Sequence, residues 1–174
     1  MMQATPTAPT TFPAPVVAAV RGATLEFFAS SCKVEAAERP APPADEQPAP
    51  AVMAVMSFFG DPVWSFALVL PEPTAVAAAN GFAGFDIPFD SPDMGDMVGE
   101  MANVIAGDVV ARLDRARIKV QMSLPTVARG QDVELLPPSH TQEVRLHFAG
   151  PAGGLQLRLF QAVVSAPPGY KPGT

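Results

Sequence analysis

The chain has 174 residues, 48% hydrophobic and 16% charged, with 11 Lys and Arg against 17 Asp and Glu for a formal net charge of −6. That is one domain's length and enough to bury a core without covalent staples; the apolar share excludes wholesale disorder, and the acidic balance argues against a nucleic-acid binder, which needs the opposite sign. A single cysteine, Cys32, excludes an intrachain disulfide, and with only His140 and His147 to join it no Cys/His metal framework can be assembled.

Met1 to Phe12 contains no Lys or Arg and no long apolar run, so it does not read as a secretory signal. The most apolar region, Ala51 to Leu70, is broken by Gly60-Asp61-Pro62, so no stretch of about 18 apolar residues reads as a membrane span. The expectation is a cytoplasmic protein that contacts neither membrane nor nucleic acid. Twelve of the 21 prolines cluster at Pro6 to Pro15, at Pro40 to Pro50 and at Pro167 to Pro172. Proline fixes φ and removes a backbone donor, so these clusters predict disordered tails over 1–11 and 166–174, and a Pro-rich loop over 39–50 inside one domain spanning 12–165.

Val16 to Phe28 carries apolar residues at helical spacing, weakened by Gly22. Cys32 to Ala37 predicts a short strand. Val52 to Phe59 and Val63 to Leu70 predict a hairpin around Gly60-Asp61-Pro62, with Trp64 in its core. Pro73 to Phe82 is an Ala-rich helix stopped near Gly81 or Gly84, and Asp93 to Arg117 is the longest helix. Ile118, Val120, Met122 and Leu124 alternate as a strand does. Val144 to Phe148 and Leu155 to Val164 are the last two strands, turned by Gly150 to Gly154, and the apolar Leu155 to Val164 would be an awkward free edge. The order predicts an α+β fold of two layers, a mostly antiparallel sheet with long helices packed on one face.

The longest helix carries an apolar stripe, Met94, Met97, Val98, Met101, Val104, Ile105, Val109 and Leu113. Beside it Asp96, Glu100, Asn103 and Gly107 fall within an arc of about 60° at about 100° per residue. One face therefore presents a carboxylate and a carboxamide together, with Gly107 leaving space beneath them. A Glu and an Asn at i and i+3 usually form no more than a solvated face, and Asn in mid-helix is mildly unfavourable because its amide competes for backbone groups.

The longer spacing adds information. Asp96, three residues, Glu100, two residues, Asn103, then twenty-one residues to Pro125 resembles the motif of the CheC, CheX and FliY chemotaxis phosphatases. The surrounding Val98-Gly-Glu-Met-Ala-Asn-Val-Ile-Ala-Gly107 and Ser123-Leu-Pro-Thr-Val127 are similar to it too, and a single such helix is closer to CheX than to CheC. The resemblance implies a CheC-like fold and hydrolysis of the aspartyl phosphate of a CheY-like receiver domain. The receiver would supply Mg²⁺ and a lysine, this chain binding no cofactor of its own. Asn103 would orient the attacking water, since a neutral carboxamide both donates and accepts hydrogen bonds. Glu100 would pair with the receiver's lysine and set the docking register. Asp96 would contact the receiver or only stabilise the helix N-terminus, and Pro125 would shape the site more than act in it. The resemblance also implies a homodimer. A receiver-binding module without turnover and a switch-type assembly domain are the competing readings. His140, His147, Gly150-Pro-Ala-Gly-Gly154 and the basic cluster Arg112, Arg115, Arg117 and Lys119 suggest no separate chemistry.

Overall fold

The structure, a computed structural model, describes residues 12–42 and 49–162. The expected tails, residues 43–48 of the Pro-rich loop and the end of the last expected strand lie outside the described residues. Within them the chain runs α1 (Ala14–Ser30), β1 (Ala37–Arg39), β2 (Ala51–Gly60), β3 (Trp64–Pro71), α2 (Glu72–Ala83), α3 (Pro92–Arg115), β4 (Val120–Met122), β5 (Thr126–Gly130), β6 (Thr141–Gly150) and β7 (Gly153–Ala162). The strands form one antiparallel sheet in the order β1-β6-β7-β3-β2, with β4 and β5 pairing successively with the far side of β2.

Alternation along the strands divides the sheet into two faces. Val52, Ala54, Met56 and Phe58 of β2, the Trp64-to-Leu70 alternates of β3, and Leu155, Leu157 and Leu159 of β7 point to the helices and share one core with them. Phe58 stacks on Trp64 across the hairpin at 4.0 Å, and Phe12 meets Trp64 edge-on. The opposite face is mixed. Met53, Ala67 and Phe160 form a small apolar cluster under Val133 and Leu135. Next to it Arg158 stacks on Phe160 and bonds Glu143 at 2.6 Å and the Leu135 carbonyl at 2.9 Å. Burial alone would raise the Glu143 carboxyl, but hydrogen bonds and charge from Arg145 and Arg158 outweigh it and hold the group below its ordinary range. His147 sits half-buried on this outer face within reach of Gln156, and desolvation together with Arg145 lowers its pKa.

Three strand expectations change. The short strand falls at Ala37–Arg39 instead of Cys32 to Ala37. Cys32 and Val34 instead donate back to Phe27 and Phe28 of α1, and Lys33 takes a left-handed φ of 58°, so this stretch completes the helix end. For the same reason the strand expected from Ile118 begins at Val120: Ile118 donates to Leu113, and Arg117 is left-handed at φ 62°. Its apolar alternation is a core face only at its start: Ile118 and Val120 pack against the core, but Met122 is 38% exposed and Leu124 84%. Finally, β7 is no edge; β3 and β6 flank it on both sides. The strand β5 has no counterpart in the sequence reading.

Among the described residues Gly60, Gly81 and Gly150 are required by the close approach of a backbone carbonyl, and Gly22 is tight against a side chain. A Cβ on Gly81 of α2 would overlap the Cys32 carbonyl, and one on Gly22 of α1 would lie 2.9 Å from the Arg112 guanidinium. The second contact explains why α1 runs through Gly22: there Arg112 reaches across from α3 to Glu26 at 2.5 Å while holding Asp108 at 2.8 Å. Gly107, by contrast, faces open space. Gly81→Ala is expected to destabilise by about 1–3 kcal/mol, because a backbone carbonyl cannot yield as a side chain can. Gly107→Ala is expected to gain about 1 kcal/mol from helix propensity. Urea titrations of the two variants check the pair, and equal midpoints would refute the steric assignment. Cys32, 1% exposed, has its thiol pushed up to about 12 by burial. Since the thiolate is the nucleophile, native protein at mildly alkaline pH is expected to resist alkylation, and urea-unfolded protein to take up one equivalent, as mass spectrometry would read.

Candidate functional site

The helix α3 is built to be stiff. Ser91 caps it, its Oγ accepting from the Asp93 backbone N–H at 3.1 Å; Pro92 opens it, Asp93 sits in the first turn, and Arg112 and Arg115 sit in the last. These choices complement the helix dipole at both ends. Met94, Val98, Met101, Ile105, Val109 and Leu113 are fully buried on the core side. Val104, expected in that stripe, is 41% exposed instead, because it lies at the stripe's outer margin on the helix face turned away from the sheet.

Between α3 and the segment joining β4 to β5 runs an open groove of about 300 Å³, lined by Gly95, Asp96, Gly99, Glu100, Asn103, Leu124, Pro125 and Val127. Four of the five residues singled out in the sequence, Asp96, Glu100, Asn103 and Pro125, therefore meet at one place. The fifth, Gly107, does not line it; it lies one turn further along the outward face of α3, where a Cβ would meet nothing within 4 Å. Asp96 and Glu100 are exposed and Asn103 is half-buried. Among the described residues none of the three side chains enters a hydrogen bond or ion pair, whereas Asp108 and Asp114 further along α3 are both paired with cations. The groove thus holds a carboxamide and two carboxylates, with their polar atoms free for an incoming group.

The opposite wall is fixed by hydrogen bonds to the backbone. The Ser123 backbone N–H donates to the Ser57 carbonyl at 2.8 Å, the Ser57 N–H donates to Ser123 Oγ at 2.9 Å, and that hydroxyl donates to the Leu124 carbonyl at 2.8 Å. Arg129 of β5 donates to the carbonyls of Phe89 and Ser91, both at 2.6 Å, with its guanidinium 5.9 Å over the Phe89 ring. It thereby ties the second wall to the N-terminus of α3.

Gly95, Gly99, Leu124 and Val127 were not identified from sequence. Gly95 and Gly99 did leave a signal: two glycines at i and i+4 inside a helix each cost about 1 kcal/mol against alanine, which asks for a compensating role. Here they keep the groove open. Among the described residues no group of three or more His, Cys, Asp or Glu side chains converges as a metal site, and no helix is long and apolar enough to cross a membrane. A larger depression of about 430 Å³ beside β1 is lined mainly by alanine and backbone, with Glu35 and Arg39 its only charged groups.

No curated protein sequence matches the chain. Solved structures do. The chemotaxis protein CheX from Vibrio vulnificus superposes with a TM-score of 0.74 at 16% identity, over 86% of this chain and all of its own. The CheX of a CheX-CheY-BeF3-Mg²⁺ complex from Borrelia burgdorferi does so at 0.61 and 17%, over 84% of this chain and 94% of its own. FliY from Thermotoga maritima follows at 0.62 and 11%, over 88% and 92%. At these identities the likeness shows a shared CheC-like fold. The family model described as chemotaxis phosphatase CheX matches residues 52–149, more than half of the sequence and the whole stretch from β2 to the end of α3 and on into β6, and the chain belongs to that family.

Proposed function

We propose that the protein hydrolyses the aspartyl phosphate of a CheY-like receiver domain and so terminates a chemotactic or other two-component signal in the cytoplasm. The observation that carries the reading is the placement of Glu100 and Asn103, unpaired, on one groove of a capped and buried helix. Family membership supports it, as does the existence of a CheX-CheY complex among the structural relatives.

The reaction needs little acid–base power. An acyl phosphate is already activated, and its carboxylate is a good leaving group. The water oxygen bonds to phosphorus, the bond from phosphorus to the aspartate oxygen breaks, the electron pair returns to the carboxylate, and inorganic phosphate leaves with the water's proton passed to solvent. What limits the rate is the position of the water. Asn103 accepts from the water through its carbonyl oxygen while its amide group steadies a phosphoryl oxygen. Glu100 meets the receiver's lysine and fixes the angle at which Asn103 enters. Asp96, one turn earlier, adds negative charge to the same approach. Pro125 and the clamped Ser123 hold the far wall. The receiver brings the Mg²⁺ that offsets phosphoryl charge, and this chain contributes orientation.

The reading includes a homodimer. β1 covers β6 only at His147 to Ala149, so among the described residues Thr141 to Leu146 have no strand on that side. A second copy pairing along this stretch would close the edge and leave both α3 grooves free. Light scattering is expected to return about twice the chain mass; a monomer at working concentration would remove the dimer.

The central test follows phosphate loss from a phosphorylated receiver in Mg²⁺. Wild type is expected to accelerate it. Asn103→Ala is expected to lower the saturating rate by about a hundredfold with docking preserved, the loss typical of a misplaced reactant. Glu100→Ala is expected mainly to weaken docking, by about 2 kcal/mol or more, and so to lower activity. If the receiver decays equally with wild type, with Asn103→Ala and alone, the phosphatase reading fails and a binding module replaces it.

A further inference from the structure

Leu124 stands on the rim of the groove with 84% of its surface in solvent, more than any other large apolar side chain among the described residues. Its exposure is not that of a loose loop. The Ser57–Ser123 double hydrogen bond and the Ser123 hydroxyl on the Leu124 carbonyl clamp the backbone beneath it, and Pro125 fixes the next φ. An exposed leucine on a clamped backbone loses little freedom when it is buried by a partner, so it is preorganised for docking. On the other flank Val104, 41% exposed, directly follows Asn103 on α3. Helical geometry sets it on the outward side of Glu100. Ala111 shares that side and offers no long side chain to obstruct an approaching surface.

The pattern is a polar centre with apolar flanks. Asp96 and Glu100 place two unpaired carboxylates between Leu124 and Val104, so the occupant must bring a cation to the middle and apolar surface to the margins. We infer that Leu124, with Val104 opposite, forms an apolar collar that seats on apolar side chains bordering the receiver's phosphorylation pocket, Leu124 being the principal anchor. The collar excludes water from around the Glu100 charge pair, which strengthens that pair. The inference rests on the receiver being the partner and adds the contact that sets affinity for it.

The collar predicts a separation of affinity from rate that Asn103 does not. Receiver domains of the source organism are loaded with a small-molecule phosphodonor, and decay is followed against concentration of this protein. Leu124→Ser is expected to raise the half-saturating concentration about tenfold or more, the loss expected for one buried leucine, with the saturating rate unchanged. Leu124→Met, of similar volume and apolarity, is expected to stay within about threefold of wild type. Wild type and Leu124→Ser sharing one half-saturation, with acceleration intact, would overturn the collar while leaving the phosphatase reading in place. A fall in saturating rate alone would also overturn it. If wild type binds a beryllofluoride-treated receiver in calorimetry but accelerates nothing, the phosphatase reading falls, and the collar stands or falls on whether Leu124→Ser weakens that binding tenfold. Wild type that neither binds nor accelerates any receiver would overturn both.

Discussion

The approach of α3 to β5 is the contact on which the site depends. Gly99 is buried where a Cβ would already touch Val127 and Pro125, at 3.4 and 3.7 Å. An alanine fits there, but anything longer would fill the groove. The approach is held from both ends. Arg129 ties β5 to the carbonyls of Phe89 and Ser91 at the start of α3, and Arg112 ties the end of α3 to Glu26 of α1. The ion pairs are the lesser part of this. The Arg112 side chain keeps 28% of its surface in solvent, and such pairs contribute about 0–1 kcal/mol. Each fully buried Met, Val, Ile or Leu of α3 contributes about 1.5–3 kcal/mol. Burial fixes where the helix lies, and the arginines fix how its ends are turned.

A helix so fixed is suited to chemistry that needs orientation more than proton transfer. Side chains three residues apart on one rigid rod keep a constant offset, so a contact made by Glu100 determines where Asn103 arrives. In the proposed reading Asn103 gives up helix propensity for this role, and its carboxamide is left without a partner inside the chain. The neighbouring carboxylates Asp108 and Asp114, on the same helix but outside the groove, are both occupied by cations. Asp96, Glu100 and Asn103 are thus among the polar groups of α3 that the fold has not used, as are Asp93 and Arg115 outside the groove.

Much of this was legible in the sequence, and the exceptions share a cause. Periodicity located α3 and the β2–β3 hairpin because both have a fully buried face, and burial is what periodicity reports. It failed at β5, where Thr126, Ala128 and Arg129 are exposed and only Val127 and Gly130 are half-buried; a peripheral strand of five residues leaves no alternating signature. It misled at Ile118 to Leu124, where apolar residues do alternate but the first belongs to the helix end and the last stands in solvent. Val104 likewise is apolar at roughly the spacing of the core stripe and yet is 41% exposed. At the site, spaced motif residues found Asp96, Glu100, Asn103 and Pro125, while Gly95, Gly99 and Arg129 stayed hidden because their roles are clearance and backbone contact, which depend on elements distant in sequence.

The misread apolar residues and the site are connected. Val104 reads as core and Leu124 as the end of an alternating strand because sequence patterning cannot tell surface that is buried within the chain from surface awaiting a partner. The same ambiguity runs through this fold as a whole. FliY superposes at 11% identity, so the architecture is retained where little sequence is, and fold alone is silent on whether a given chain turns over phosphate. The discriminating information lies in what the fold leaves unspent: an amide and a carboxylate with no internal partner, two glycines that keep the space before them open, and a leucine held out on a clamped backbone. A domain used only for assembly could bury the leucine against a neighbour, but it would gain nothing from leaving Asn103 unpaired in mid-helix. A domain that only binds could use Glu100 without Asn103. The three features together favour the proposed task, docking a phosphorylated surface and aiming a water at it.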